Sequence, residues 1–157
     1  MRSGIKLLTA IFLFGAGALP AAAAPPSALC NLVATSFADV LAGSVKTMPV
    51  GARTCMVSVG SFADMSIGID VSINTGDAAT LKRMRGLLRT HWVDEPALGD
   101  GAYSILDGGG GGMLPQLTIN ASKSGKWAII EVRRRAGFSP ADVAKLRGDA
   151  RKLLAGL

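Results

Sequence analysis

The chain is poor in the side chains that most catalysis needs. Histidine occurs once, at His91, which excludes metal sites built on histidine pairs and general-base chemistry that needs a second imidazole. No Gly-x-Ser-x-Gly turn is present to expose a nucleophilic serine. Aromatic residues make up 5% of the chain, too few for the stacking platform of a single-strand nucleic-acid binder, which argues against a nucleic-acid partner. Only two cysteines occur, Cys30 and Cys55, and they lack the Cys-x-x-Cys spacing that lowers a thiol pKa. The glycine run 108–112 is not followed by Gly-Lys-Ser/Thr, and Met113-Leu114-Pro115 opens no helix whose N-terminus could hold a phosphate. It reads as a loop between two strands. No metal and no cofactor is expected.

What is present begins with an address. Arg2 and Lys6 precede an apolar run from Leu7 to Leu19, which is followed by Pro20 and the alanines 21–24. A positive start, a short apolar core, a helix breaker and small residues are the order of a cleavable export signal. The apolar core falls short of the roughly 20 residues that span a bilayer. Cleavage between Ala23 and Ala24 is expected, because Ala21 and Ala23 then fill the small-residue positions. That divides the chain into a signal peptide, residues 1–23, and a single domain, residues 24–157. Cys30 is preceded by Ser27-Ala28-Leu29, with leucine next to the cysteine rather than three before it. This is no lipoprotein signal.

Without Arg2 and Lys6, 15 basic residues face 11 acidic ones, a net charge of +4. Export to an oxidising compartment makes a structural Cys30–Cys55 disulfide the natural pairing. The expected location is the periplasm or the extracellular space.

Periodicity supplies the architecture. Leu29, Leu32, Val33, Phe37, Val40 and Leu41 recur every three or four residues, predicting a helix that ends near Gly43. Met48-Pro49-Val50-Gly51 reads as a turn or loop. Cys55, Val57 and Val59 alternate with polar neighbours, and Met65, Ile67, Ile69, Val71 and Ile73 do so strictly, predicting two strands joined through residues 60–64. Asp77 and its neighbours cap a second helix with Leu81, Met84, Leu87 and Leu88 as its buried stripe. Strands are then expected at Ala102–Leu106, around Leu117–Ala121 and at Trp127–Val132. The last is apolar at both parities and so central or covered twice. Ser139-Pro140 opens a final helix whose inward face is Val143, Leu146, Ala150, Leu153 and Leu154. The sum is an α+β fold with a mainly antiparallel sheet of about five strands, in the order αββαβββα.

Three basic clusters stand out: Lys82, Arg83, Arg85 and Arg89; Arg133, Arg134 and Arg135; and Lys145, Arg147, Arg151 and Lys152. Two are the outward faces of helices. Lys82, Arg83, Arg85, Arg89, Arg133 and Arg135 form the candidate surface for an anionic polymer or membrane. The acidic residues Asp70, Asp94, Glu95 and Asp100 read as solvated, and a hydrolase built on Asp70, His91, Asp94 or Glu95 would need those groups in one cleft.

Cys30-Asn31-Leu32-Val33 at a helix start, Cys55 in the next strand and Leu98-Gly99-Asp100-Gly101-Ala102-Tyr103 leading into the second half resemble a family of small secreted proteins and lipoproteins best known from actinobacteria. The resemblance runs over nearly all of the chain after the signal. It implies a PsbP-like fold, an antiparallel sheet with helices packed on it, a disulfide joining Cys30 to Cys55, and a non-enzymatic role at the cell surface. It carries no active site. The leading expectation is therefore an exported, non-catalytic binding or accessory protein of the cell envelope, with an envelope protein or an anionic polymer or membrane surface as candidate partner. A small extracytoplasmic hydrolase and a basic-surface membrane- or polymer-binding factor are the alternatives.

Overall fold

In the computed structural model, which describes residues 27–61 and 65–157, the strictly alternating run becomes one strand of a seven-stranded antiparallel sheet. The export signal, its cleavage site and Phe62, Ala63 and Asp64 of the hairpin connection lie outside the described residues. The elements are α1 (Ala28–Ser36), β1 (Val45–Val50), β2 (Thr54–Val59), β3 (Ile67–Thr75), α2 (Ala78–Leu87), β4 (Val93–Asp94), a 3-10 turn (Pro96–Leu98), β5 (Tyr103–Asp107), β6 (Gln116–Lys123), β7 (Lys126–Arg134) and α3 (Pro140–Ala155). Across the sheet the strands run β1-β2-β3-β7-β6-β5-β4. The α+β class stands, and β7 is the central strand that its two-sided apolar pattern predicts.

The strand count differs from the expected five, and the element order is αβββαββββα rather than αββαβββα. Met48-Pro49-Val50 is not a loop but the end of β1. Proline is tolerated there because an edge strand needs no ladder bond on its outer side. All six β1 residues are exposed, so no burial alternation marks the strand. The second addition, β4, is only two residues long and pairs Val93 and Asp94 with Ser104 and Tyr103.

One face of the sheet carries the main core. Cys55, Val57, Ile69, Val71, Ile130, Val132, Leu117 and Ile119 point to this face and are at most 1% exposed. Burying such side chains contributes roughly 1.5–3 kcal/mol each. Cys30, Val33 and Phe37 from the α1 segment, and Leu146, Ala150 and Leu153 from α3, close over them. Ser27 caps α1 by accepting from the Cys30 N–H at 3.2 Å. The helix itself stops at Ser36, short of Gly43, but Leu41 N–H still bonds Phe37 O at 3.1 Å, so the inward spacing persists through a turn. α3 begins with a capping box: Ser139 Oγ accepts from Asp142 N–H, and Asp142 accepts from Ser139 N–H. The Cys30–Cys55 disulfide joins α1 to β2, its Cα atoms 5.2 Å apart.

α2 lies on the opposite face, against β6. Of its expected buried stripe only Leu81 is sealed; Met84 is 38% and Leu87 83% exposed, and Leu88 is half-buried. The amphipathic spacing is real, but among the described residues no second helix flanks α2 to receive the rest. Met65 also departs from its expected inward place. β3 starts at Ile67, and the Met65 Sδ lies 2.5 Å from where a Cβ of Gly68 would stand, on the face away from the main core.

Candidate binding surface

Among the described residues, the face opposite α1 and α3 is covered by α2 at one end only. Under α2, Leu81 and Tyr103 are buried apart from the main core, and burial raises the Tyr103 pKa above its ordinary value. Trp127 Nε1 donates to Asn120 Oδ1 at 3.3 Å at the same end. Beyond them the strand register lays two rows across the sheet. One runs Ile105, Thr118, Glu131, Asp70, Met56, Met48; the other runs Asp107, Gln116, Arg133, Gly68, Ser58, Lys46.

Arg133 organises the middle of this face. Its guanidinium donates to Asp70 Oδ2 at 2.7 Å, Glu131 Oε2 at 2.9 Å and Gln116 Oε1 at 3.1 Å, and Gln116 in turn donates to Thr118 Oγ1. The Asp70 side chain is 19% exposed and that of Arg133 34%. A planar cation held by two carboxylates is locally rigid, and the formal charge of the trio is −1. This presents a flat, polar, pre-organised surface rather than a cleft.

The six residues of the expected anion surface fall in two places. Lys82, Arg83, Arg85 and Arg89 share α2 or its C-terminal extension. Arg133 and Arg135 lie at the far end of β7, six and more residues from Trp127, or roughly 20 Å along the strand. On α2, Lys82 holds Asp100 at 2.9 Å, and that bond lowers the Asp100 pKa. Arg85 pairs with Asp94 and stacks 4.4 Å from the centre of the Trp92 ring. Arg83 reaches Thr80 Oγ1 at 3.5 Å. Arg89 is exposed. Of the α3 cluster, Arg147 and Lys152 are likewise held by Glu95 and Asp149.

Of the carboxylates that read as solvated, Asp94 and Asp100 are so, at 65% and 72% exposed, while Asp70 and Glu95 are largely covered, and each of the four is paired with a cation. Asp70 has Arg133, Asp94 has Arg85, Asp100 has Lys82, and Glu95 has Arg147. Glu95 is the extreme case: 8% exposed, it accepts from Arg147 Nε at 2.5 Å and from the buried Ser104 Oγ at 2.6 Å. It ties α3 to the 3-10 turn on the main-core face. Asp70 and Asp94 are on β3 and β4, four strand spacings apart, or roughly 19 Å, while His91 is exposed between α2 and β4. These four groups do not converge. Sequence reasoning missed the pairs because the partners are 63 residues apart for Asp70–Arg133 and 52 for Glu95–Arg147.

An apolar groove of about 470 Å³ sits at the end of the sheet where α1 begins and α3 ends, lined by Leu29, Leu32, Ile73 and Leu157 with Arg53 and Lys126 at its rim. Among the described residues, no group of three or more His, Cys, Asp or Glu side chains is placed to hold a metal. No helix among them is long and apolar enough to cross a membrane. No family model, curated protein or solved structure gives a significant match to the chain.

Proposed function

We propose that the protein is an exported, non-catalytic binding or accessory protein of the cell envelope that engages its partner with the uncovered face of its sheet. The observation that carries this reading is the contrast between the two faces. One is sealed by α1 and α3, and the other is left open over most of its area with its central charges fixed by Arg133. The Cys30–Cys55 disulfide and the signal-like N-terminus support an oxidising destination, the periplasm or the extracellular space, without a lipid anchor. The dispersal of Asp70, His91, Asp94 and Glu95 favours this reading over the hydrolase. A PsbP-like fold within the family of secreted proteins it resembles accords with helices on both sides of an antiparallel sheet.

Photo-crosslinking tests the proposal. A benzophenone amino acid at Thr118 or Ser72, both on the open face, should give one defined adduct in intact envelopes. The same probe at Ala144, exposed on α3, should give none. Equal yields from both faces, or none from the open one, would refute it.

A further inference from the structure

We propose that Met48, Met56 and Met65 together form a site for one soft monovalent cation, Cu(I) in its natural setting, on the open face above β1–β3. This inference is independent of the envelope-partner reading. Met48 and Met56 are direct cross-strand partners, and both point to the open face. Side chains so placed start about 4.5–5.5 Å apart at Cβ. Met56 faces Asp70, whereas Gly68, two residues before Asp70, faces Ser58; Met56 and Gly68 are thus diagonal neighbours, about 7–8 Å apart. The Met65 Sδ occupies the space a side chain at Gly68 would fill. Glycine at 68 is what lets this third thioether lie flat on the sheet, one diagonal step from Met56.

A second observation marks the same spot. Ser58, the cross-strand neighbour of Gly68, is 1% exposed, yet its Oγ has no hydrogen-bond partner. A buried hydroxyl left unpaired is destabilising. The chain therefore keeps an unsatisfied polar atom at the edge of the methionine cluster.

The chemistry selects the ion. Thioethers are neutral, polarisable donors that favour Cu(I) over magnesium, calcium or zinc. Both cysteines are consumed by the disulfide. In an oxidising compartment methionine is then the soft donor that remains. Because thioether sulfur carries no proton to lose, the ion displaces none from its ligands on binding, unlike histidine or thiolate.

The test uses the disulfide-intact exported protein labelled with [methyl-13C]methionine and titrated with Ag(I), a redox-inert stand-in for Cu(I). The expected result is that the Met48, Met56 and Met65 methyl signals move together and saturate at one equivalent, while those of Met84 and Met113 stay still. Met48→Leu, Met56→Leu and Met65→Leu should each weaken binding at least tenfold with the circular-dichroism spectrum unchanged, and Met84→Leu should leave it intact. Anaerobic competition with bicinchoninate should return the same stoichiometry for Cu(I). No movement, movement of all five methyls without saturation, undiminished binding by the three leucine variants, or failure to compete for Cu(I) would each overturn the proposal.

Discussion

Reduction of the Cys30–Cys55 bond separates two contributions that are usually measured as one. The bond joins residues 25 apart in sequence. Closing a loop of that length removes about 3.5 kcal/mol of chain entropy from the unfolded state in the loop-closure treatment. Both cysteines are 0% exposed and lie in the core between α1 and β2. Reduction keeps both sulfur atoms in the core, although they must part to van der Waals contact, and forfeits mainly the entropic part. The Cys30→Ala/Cys55→Ala variant also empties two methyl-sized volumes, at about 1 kcal/mol each. Its total loss is then about 5.5 kcal/mol, comparable to the whole stability of a small domain. Urea unfolding followed by tryptophan fluorescence reads both. With a slope of about 2 kcal/mol per molar, reduction should lower the midpoint by roughly 1.8 M, and the slope should rise because the unfolded chain expands. A midpoint shift under about 0.5 M with an unchanged slope would refute the reasoning, showing that the helix–strand contact is held by packing alone.

Glu95→Ala should cost about 2–3 kcal/mol in thermal or urea unfolding, at the low end for a broken buried pair because Arg147 is 29% exposed and can recover some water. Replacing both partners, Glu95→Leu with Arg147→Met, should restore most of that loss. Gly99→Ala should prevent accumulation of folded protein, since Gly99 has φ +119° and a Cβ there would run into the backbone carbonyl oxygen of Ser122. Asp142 has its pKa lowered from 3.8 to about 2, first by the Ser139 hydroxyl and backbone and then by Arg134. A depressed folded-state value means that its stabilisation is present above pH 3.8 and fades as pH falls toward 2. NMR titration of Asp142 should show that midpoint, and Asp142→Asn should flatten the acid limb of the stability profile.

Legibility followed how local each signal was. β3 was readable because Ile67, Ile69, Val71 and Ile73 share one parity. The turn that joins β6 to β7 is equally local: Ser124 and Gly125 take positive φ values, 51° and 72°, as a two-residue hairpin demands. β1 was not, because Met48-Pro49-Val50 looks like a turn until β1 is seen to be an edge strand with no ladder bond to make on its outer side. The burial of α2 was overestimated, since helical spacing reports a helix's own amphipathicity and not the width of the surface it meets. The open face was legible only as the polar side of β2 and β3, not in its organisation. Arg133 belonged to a basic run on paper, and only the register of β3, β7 and β6 brings it to Asp70, Glu131 and Gln116.

The central position of β7 has a temporal meaning. The hairpins β1–β2–β3 and β4–β5–β6 have no strand pairing with each other except through residues 126–134. A chain that emerges N-terminus first, as in synthesis or in the export proposed above, must wait for its last strand before the sheet can close. Until then β3 offers an unpaired apolar edge, open to pairing with other chains. The Cys30–Cys55 bond, by contrast, needs only the first third of the chain. It can lock α1 against β2 early, leaving a single late event, the insertion of β7, to join the two halves.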